Sequence, residues 1–449
     1  MKRGSRNRAV SFLKGFIVFM FGIIVGLLLL TVVLNKSNKK ENPKGTEITG
    51  LPDEDDTEKS EKTTEQTEEV TTEEITSEEI TEEITTEEVT EELTEEDQND
   101  ESSGSDEDIE TILAGMSLHE KVCQMFVVTP ESLTGAAAVT EFGDMTKSSL
   151  DAYPVGGLIY FDQNLVTADQ TTQMLQSTQA YARETTGIPI ILSVDEEGGS
   201  VARCGSKLGV TKLNSMYDYK DQGTDTAYNN AGIISSYLLE LGFNLDYAPV
   251  ADVWSNPNNT VIGKRAYSDD FNEASTLVAS AVKGFQSNGI KCTLKHFPGH
   301  GDTNADSHTS SATTSKTADQ LMSQEYLPFI SGIQAGAEVV MVGHITVTSI
   351  TSEPASISKD IVTGELRGKL GFDGVVITDA LNMGAVSNLY SSGELAIKCI
   401  EAGDDLLLMP TDFKSAVSAV ESAVESGQIS EDRIDASVRR ILELKKSWM

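Results

Sequence analysis

"IPIILSVDEEGG", residues 188–199, is a short apolar run that ends abruptly in three acids and two glycines. Its apolar residues do not alternate with polar ones, so both faces are predicted to be covered. That is the pattern of a strand inside a parallel sheet. The acids at its end, Asp195, Glu196 and Glu197, fall where the chain leaves the sheet.

Seven more runs of the same kind flank it: "VCQMFVV" (122–128), "VGGLIYF" (155–161), "FNLDYAPVADV" (243–253), "KCTLKHF" (291–297), "AEVVMVGHI" (337–345), "FDGVVITDA" (372–380) and "DDLLLMP" (404–410). Longer stretches with helical spacing lie between them, such as residues 167–187 and 273–289, each closing on a glycine, a common helix stop. Eight strand–helix units within 108–449 predict an α/β fold, a (β/α)8 barrel of the TIM type. Its site gathers at the C-terminal strand ends. An open doubly wound sheet is the alternative, and the G-x-G-x-x-G turn it usually carries after the first strand is absent.

Upstream the material changes. Residues 1–14 carry five cations and read as a basic cytoplasmic tail, and residues 15–34 are twenty residues without a charge. About 20 apolar residues suffice to cross a bilayer as a helix. No small-residue cleavage pattern follows, so an uncleaved transmembrane signal anchor is expected, with the remainder outside the cell. Residues 35–107 are rich in Thr and Glu, and 41–107 alone hold 28 acidic and 3 basic residues. Such a segment repels itself and buries too little apolar surface to fold, so a disordered acidic stalk is expected. The formal net charge of the chain is −37, which argues against a nucleic-acid partner. Cys123, Cys204, Cys292 and Cys399 show no CxxC spacing and read as inert buried thiols.

The polar residues at the predicted strand ends are Asp195-Glu196-Glu197, Asp246, Asp252, Lys295-His296, His344, Asp379 and Met409-Pro410. Charge or imidazole on five strands at one end of the barrel marks that rim as the site. No G-x-S-x-G elbow and no phosphate-cradling GxxxxGK[ST] occurs. "KHFPGHGDTNADSH" (295–308) offers three histidines and two aspartates. As metal ligands they would mostly share one glycine-hinged loop, whereas a preformed cage wants ligands held by a second shell; no metal and no cofactor is expected. As acid/base groups, Asp306 and His308 stand two residues apart, close enough for the carboxylate to fix the imidazole tautomer. Asp379 ends a rigid strand opposite them. A carboxylate facing a proton carrier suits glycoside hydrolysis with retention.

"KHFPGHG" followed by "DSH", with "DEEGG" upstream and "GVVITDALNMGAV" downstream, resembles the β-N-acetylglucosaminidases of glycoside hydrolase family 3. The resemblance covers nearly all of 108–449. It implies a one-domain barrel in which Asp379 is the nucleophile, His308 the acid/base and Asp306 its orienting partner. It further implies that Asp195, Arg203 of "VARC", Arg265 of "IGKRAYSDD", Lys295 and His296 bind the terminal sugar. Two departures stand out: the loop runs on as "TSSATTSK", and Glu196 replaces a common glutamine, which would place a negative charge beside the sugar.

The expected function is therefore an exo-acting, retaining β-N-acetylglucosaminidase acting on peptidoglycan fragments such as GlcNAc-MurNAc. Its expected partners are that carbohydrate and, through the N-terminal helix, the membrane. Rival readings are a metal-dependent hydrolase on the same barrel and a non-catalytic cell-wall-binding protein. For Arg203, pairing with Glu196 or Glu197 is an open alternative, as is a core ion-pair role for Lys295 and His296.

Overall fold

The computed structural model describes residues 101–303 and 312–449, with side chains from residue 108 onward. Eight parallel strands form the centre: β1 (Phe126–Val128), β2 (Gly157–Ile159), β3 (Ile191–Val194), β4 (Leu245–Asp246), β5 (Lys291–Phe297), β6 (Val339–Val342), β7 (Val375–Thr378) and β8 (Leu407–Leu408). They pair in the order β7-β6-β5-β4-β3-β2-β1-β8. A parallel bridge between Ile377 and Leu406 joins β7 to β8 and closes the ring. The fold is the expected TIM-type barrel, and each strand lies inside one of the eight apolar runs.

The strands form here because both faces find apolar cover. Val339, Val340, Val342, Val376 and Ile377 are all fully buried, and each such side chain stabilises by roughly 1.5–3 kcal/mol relative to exposure. The outer layer is built by α1 (Asp144–Ala152), α2 (Ala168–Thr186), α3 (Thr224–Leu241), α4 (Phe271–Gln286), α5 (Tyr326–Gln334), α6 (Asp360–Lys369), α7 (Ser392–Ala402) and α8 (Phe413–Glu425). Local chemistry sets their ends. Thr167 and Gln170 form a reciprocal cap at the start of α2, and Gly187 (φ 72°) stops it in the left-handed region. Asp270 accepts the Asn272 and Glu273 N–H groups at 2.9 Å each to begin α4.

A last helix, α9 (Glu431–Lys445), packs near the N-terminal strand ends, where Ser437, Arg433 and Arg440 surround the buried Asp405. All four cysteines are buried and unlinked, as expected.

The helix Glu101–Gly115 runs across the expected boundary at 107/108, and Ile109 and Leu113 on it are buried in the core at i, i+4 spacing. The expected tail, anchor and stalk at 1–14, 15–34 and 35–100 lie outside the described residues. Among the described residues no helix is long and apolar enough to cross a membrane.

Candidate active site

The C-terminal ends of the strands enclose a cavity of about 280 Å³. One side is polar and is supplied by β3, β4 and β5. After β3 the chain turns through a small hairpin, Glu196–Gly198 against Val201–Ala202, with Gly198 and Gly199 at positive φ. Alternation along that hairpin sends Asp195 and Glu197 to the cavity and Glu196 away from it. Glu196 is buried elsewhere: it accepts the Cys204 and Gly205 N–H groups at 2.7 and 2.9 Å and the Tyr237 hydroxyl at 2.8 Å. Burial pushes its carboxyl up despite those bonds. The expected extra charge beside the sugar is thus absent from the cavity wall, because Glu196 caps the turn at Arg203–Lys207. Asp246, at the end of β4, is also structural, accepting the Glu196 N–H at 2.9 Å, and burial raises its pKa well above the usual carboxylate range.

Strand β5 delivers Lys295 and His296, joined by a cis peptide bond. The Lys295 Nζ lies 2.7 Å from Asp195 Oδ1 and 2.6 Å from Glu197 Oε1. Arg265, from the short helical turn Gly263–Arg265 after β4, grips both Glu197 oxygens at 2.8 Å, a bidentate geometry that fixes direction as well as charge. Burial alone would raise the Glu197 pKa; Arg265 and Lys295 outweigh it and hold the carboxyl below its usual range. The same contacts hold Lys295 up against its own burial. Both open readings of Lys295 are therefore met at once, since it is a buried ion-pair member that also lines the cavity.

His296 is oriented by a residue to which sequence reasoning gave no role. Its Nδ1 is 2.6 Å from Asp252 Oδ2, while Asp252 Oδ1 accepts the His300 N–H at 2.6 Å. A carboxylate at Nδ1 fixes the proton there and leaves Nε2 as the second ring nitrogen on the cavity side. Burial opposes the Asp252 charge, but His296 and His300 prevail and its pKa is lowered. The His300 pKa is itself lowered, chiefly by burial. The glycines beside it have separate causes. A Cβ on Gly301 would meet the Val253 carbonyl oxygen at 1.6 Å, and Gly299 sits at φ 119° against the Glu325 side chain.

Asp379 follows β7 directly and stands in the same cavity, partly exposed to it. Burial raises its pKa, yet His296, His344, the Ala380 N–H and Lys295 bring it below the ordinary value, so the carboxylate form is favoured. The opposite wall is apolar and soft: Met341, Met383 and Met409, with Ile159 and Leu408. Met409 has φ 50°, the one non-glycine residue at positive φ among the described residues. Such outliers gather at functional sites.

Arg203 also lines the cavity, with its guanidinium 5.6 Å from the Phe161 ring centroid, and it makes no ion pair with Glu196 or Glu197 among the described residues. Six of the eight predicted site residues therefore converge: Asp195, Arg203, Arg265, Lys295, His296 and Asp379. Asp306 and His308 lie outside the described residues. Glu197 and Asp252 were placed at the rim by the sequence but given no role there. Alternation in "DEEGG" could have found Glu197, whereas nothing in the sequence pairs Asp252 with His296. Among the described residues no cluster of three or more His, Cys, Asp or Glu is placed to hold a metal ion.

Residues 117–444 match the glycosyl hydrolase family 3 N-terminal domain. The chain belongs to glycoside hydrolase family 3. The family resemblance read from the motifs is thereby borne out. Beta-hexosaminidase A of Pseudoalteromonas piscicida is 31% identical over 335 residues, covering 69% of this chain and 56% of that protein. Beta-hexosaminidase LpqI of Mycobacterium tuberculosis is 31% identical over 343 residues, covering 74% of this chain and 84% of its own length. Among solved structures, a family 3 β-N-acetylglucosaminidase from Paenibacillus sp. superposes with a TM-score of 0.70 at 38% identity, covering 74% of this chain and 62% of that one. The structure of M. tuberculosis LpqI gives 0.65 at 29% identity, covering 75% and 96%. The chain thus spans little more than half of the first relative and nearly all of the LpqI structure.

Proposed function

We propose that this protein is an exo-acting, retaining β-N-acetylglucosaminidase that removes terminal GlcNAc from peptidoglycan fragments such as GlcNAc-MurNAc. The observation that carries the reading is the placement of Asp379, an ionised carboxylate, in one cavity with the Asp195–Lys295–Glu197–Arg265 network. Asp195 offers carboxylate oxygens, and Arg203 a cation, to the hydroxyls of a sugar. Asp379 attacks the anomeric carbon, forming a glycosyl ester while the leaving oxygen takes a proton from His308. His308, oriented by Asp306, then removes a proton from the incoming water, and the sugar leaves with its configuration retained. Asp306 and His308 follow the cavity-lining His300 by six and eight positions. On either side of them in the chain, the Thr314 hydroxyl donates to Asp302 Oδ2 at 3.1 Å.

The cellular setting belongs to the same proposal. Residues 15–34 anchor the chain in the cell membrane by a single span, and the acidic stalk holds the barrel on the cell-wall side.

The test is turnover by the full chain of an aryl β-GlcNAc glycoside and of GlcNAc-MurNAc. Asp379→Asn abolishes both reactions. Replacing His308 by Ala costs much more on GlcNAc-MurNAc than on an activated aryl glycoside, whose leaving group needs little protonation. Exhaustive chelation leaves both rates unchanged. A near-normal rate in Asp379→Asn would remove the assignment.

A further inference from the structure

His344 touches the backbone of Ala380, next to the nucleophile, and Ser356 backs His344; neither has a place in the mechanism above. His344 follows β6 and is fully buried. Its Nε2 lies 3.0 Å from the Ala380 carbonyl oxygen and its Nδ1 2.7 Å from the Ser356 hydroxyl. A carbonyl only accepts, so Nε2 carries a proton toward Ala380, while Nδ1 meets the Ser356 hydroxyl. Ser356, also fully buried, sits in the turn Ala355–Ile357 ahead of α6.

The peptide groups around Asp379 are thereby held one after another. The Asp379 N–H donates to Val342 O at 2.8 Å, and the Leu381 N–H donates to Leu408 O at 2.8 Å, so strands β6 and β8 grip both sides. His344 takes the carbonyl between them, which also accepts the Met383 N–H at 3.0 Å. The remaining group, the Ala380 N–H, donates to Asp379 Oδ1 at 2.7 Å. Oδ2 makes no hydrogen bond among the described residues.

We infer that the Ser356–His344 pair is a positioning device that fixes Ala380, commits Asp379 Oδ1 to the Ala380 N–H and leaves Oδ2 as the attacking oxygen. This rests on Asp379 being the nucleophile. An oxygen that already accepts an N–H is a poorer electron-pair donor than its free twin, so fixing the peptide decides which oxygen reacts and in which direction it points. Removing the pair leaves the Ala380 carbonyl on the Met383 N–H alone, loosens the Oδ1 bond and blurs that choice. Misplacement of about 1 Å at a reacting group can cost about 100-fold in rate.

The experiment compares wild type, His344→Leu, His344→Gln and Ser356→Ala on an aryl β-GlcNAc glycoside, with thermal unfolding run in parallel. Gln supplies an N–H for Ala380 and an oxygen for Ser356, so it should stay within about 10-fold of wild type, while Leu loses about 100-fold in kcat with little change in KM. Ser356→Ala is the milder probe should His344→Leu fail to fold, and a several-fold loss in kcat is expected from it.

The acid limb of the kcat/KM profile, which reports Asp379 in the free enzyme, should move upward in His344→Leu. Lys295 and His296 from β5, and His300 just beyond it, also face Asp379 and are common to every variant. Carboxyl NMR titration of Asp379, assigned with Asp379→Asn, follows the same shift in a chain with no turnover. Failure of the wild type to turn over would therefore strike the nucleophile reading, while an unmoved Asp379 titration would strike this one. Folded His344→Leu with wild-type kcat, or equal losses in Leu and Gln, would overturn the inference.

Discussion

The ammonium of Lys295 stands 2.6 Å from the carboxylate of Glu197 with both side chains 3% exposed, and Arg265 closes the other side of the same carboxylate. A charge network this far from water keeps its geometry only while every member is present. Taking one partner away leaves an uncompensated charge in the barrel mouth.

Glu197→Leu should accordingly lower stability by about 3–5 kcal/mol, measured by denaturant unfolding. The pH dependence has a definite sign. Folding depresses the Glu197 and Asp252 pKa values, so the unfolded chain binds more protons as acid is added. Their contribution is fully present above the unfolded carboxylate range of about 4 and is lost as pH falls below it. A Glu197→Leu protein should show a shallower loss of stability between about pH 5 and 2.

Asp252→Asn tests the orientation of His296. The amide cannot hold the imidazole by charge, and it must still serve the His300 N–H. The expected result is a loss of roughly 10- to 100-fold in kcat/KM, on the scale general acid–base and positioning groups contribute. Steady-state kinetics on an aryl β-GlcNAc glycoside measures it; an unchanged value would show that His296 needs no partner.

Gly301→Ala should be poorly tolerated. Its methyl would fall 1.6 Å from the Val253 carbonyl oxygen, a backbone atom that cannot swing aside. Overpacking of this kind costs about 1–3 kcal/mol. Activity should fall further than stability, since Gly301 lies five and seven positions before Asp306 and His308. Melting temperature and turnover, read side by side, separate the two effects.

Lys445→Met should stabilise the protein. The lysine is fully buried on α9, its Nζ donates to Gln124 Oε1 at 2.7 Å, and burial lowers its pKa to about 7. Between about pH 7 and 10.4 the unfolded chain binds the extra proton, so wild-type stability rises with pH across that window. Met removes the desolvated amine and that slope together. A gain on the order of 2 kcal/mol at pH 7 is expected after the lost Gln124 bond is counted. Unfolding free energy against pH for both proteins reads it directly.

Much of this protein was legible before any coordinates. Continuous apolar runs can be buried on both faces only in a parallel sheet wrapped by helices, so eight of them in alternation with helical segments imply the barrel. Acids and cations at their C-terminal ends imply the rim. Asp195, Lys295, His296 and Asp379 were found in this way because a strand end is a local property of sequence.

What the sequence alone could not reveal depends on contacts across long chain separations. Asp252 and His296 are 44 positions apart, and Glu197 and Arg265 are 68 apart. Nothing in composition or periodicity links such partners; the closing of the ring does. Glu196 and Glu197 are neighbours of identical chemistry, yet one caps a turn and the other binds two cations, because a strand sends successive side chains to opposite faces. The sequence determined which residues stand at the rim, since burial patterning is written locally. Only the tertiary structure decided which of them face one another, since that is set by the curvature of a closed barrel.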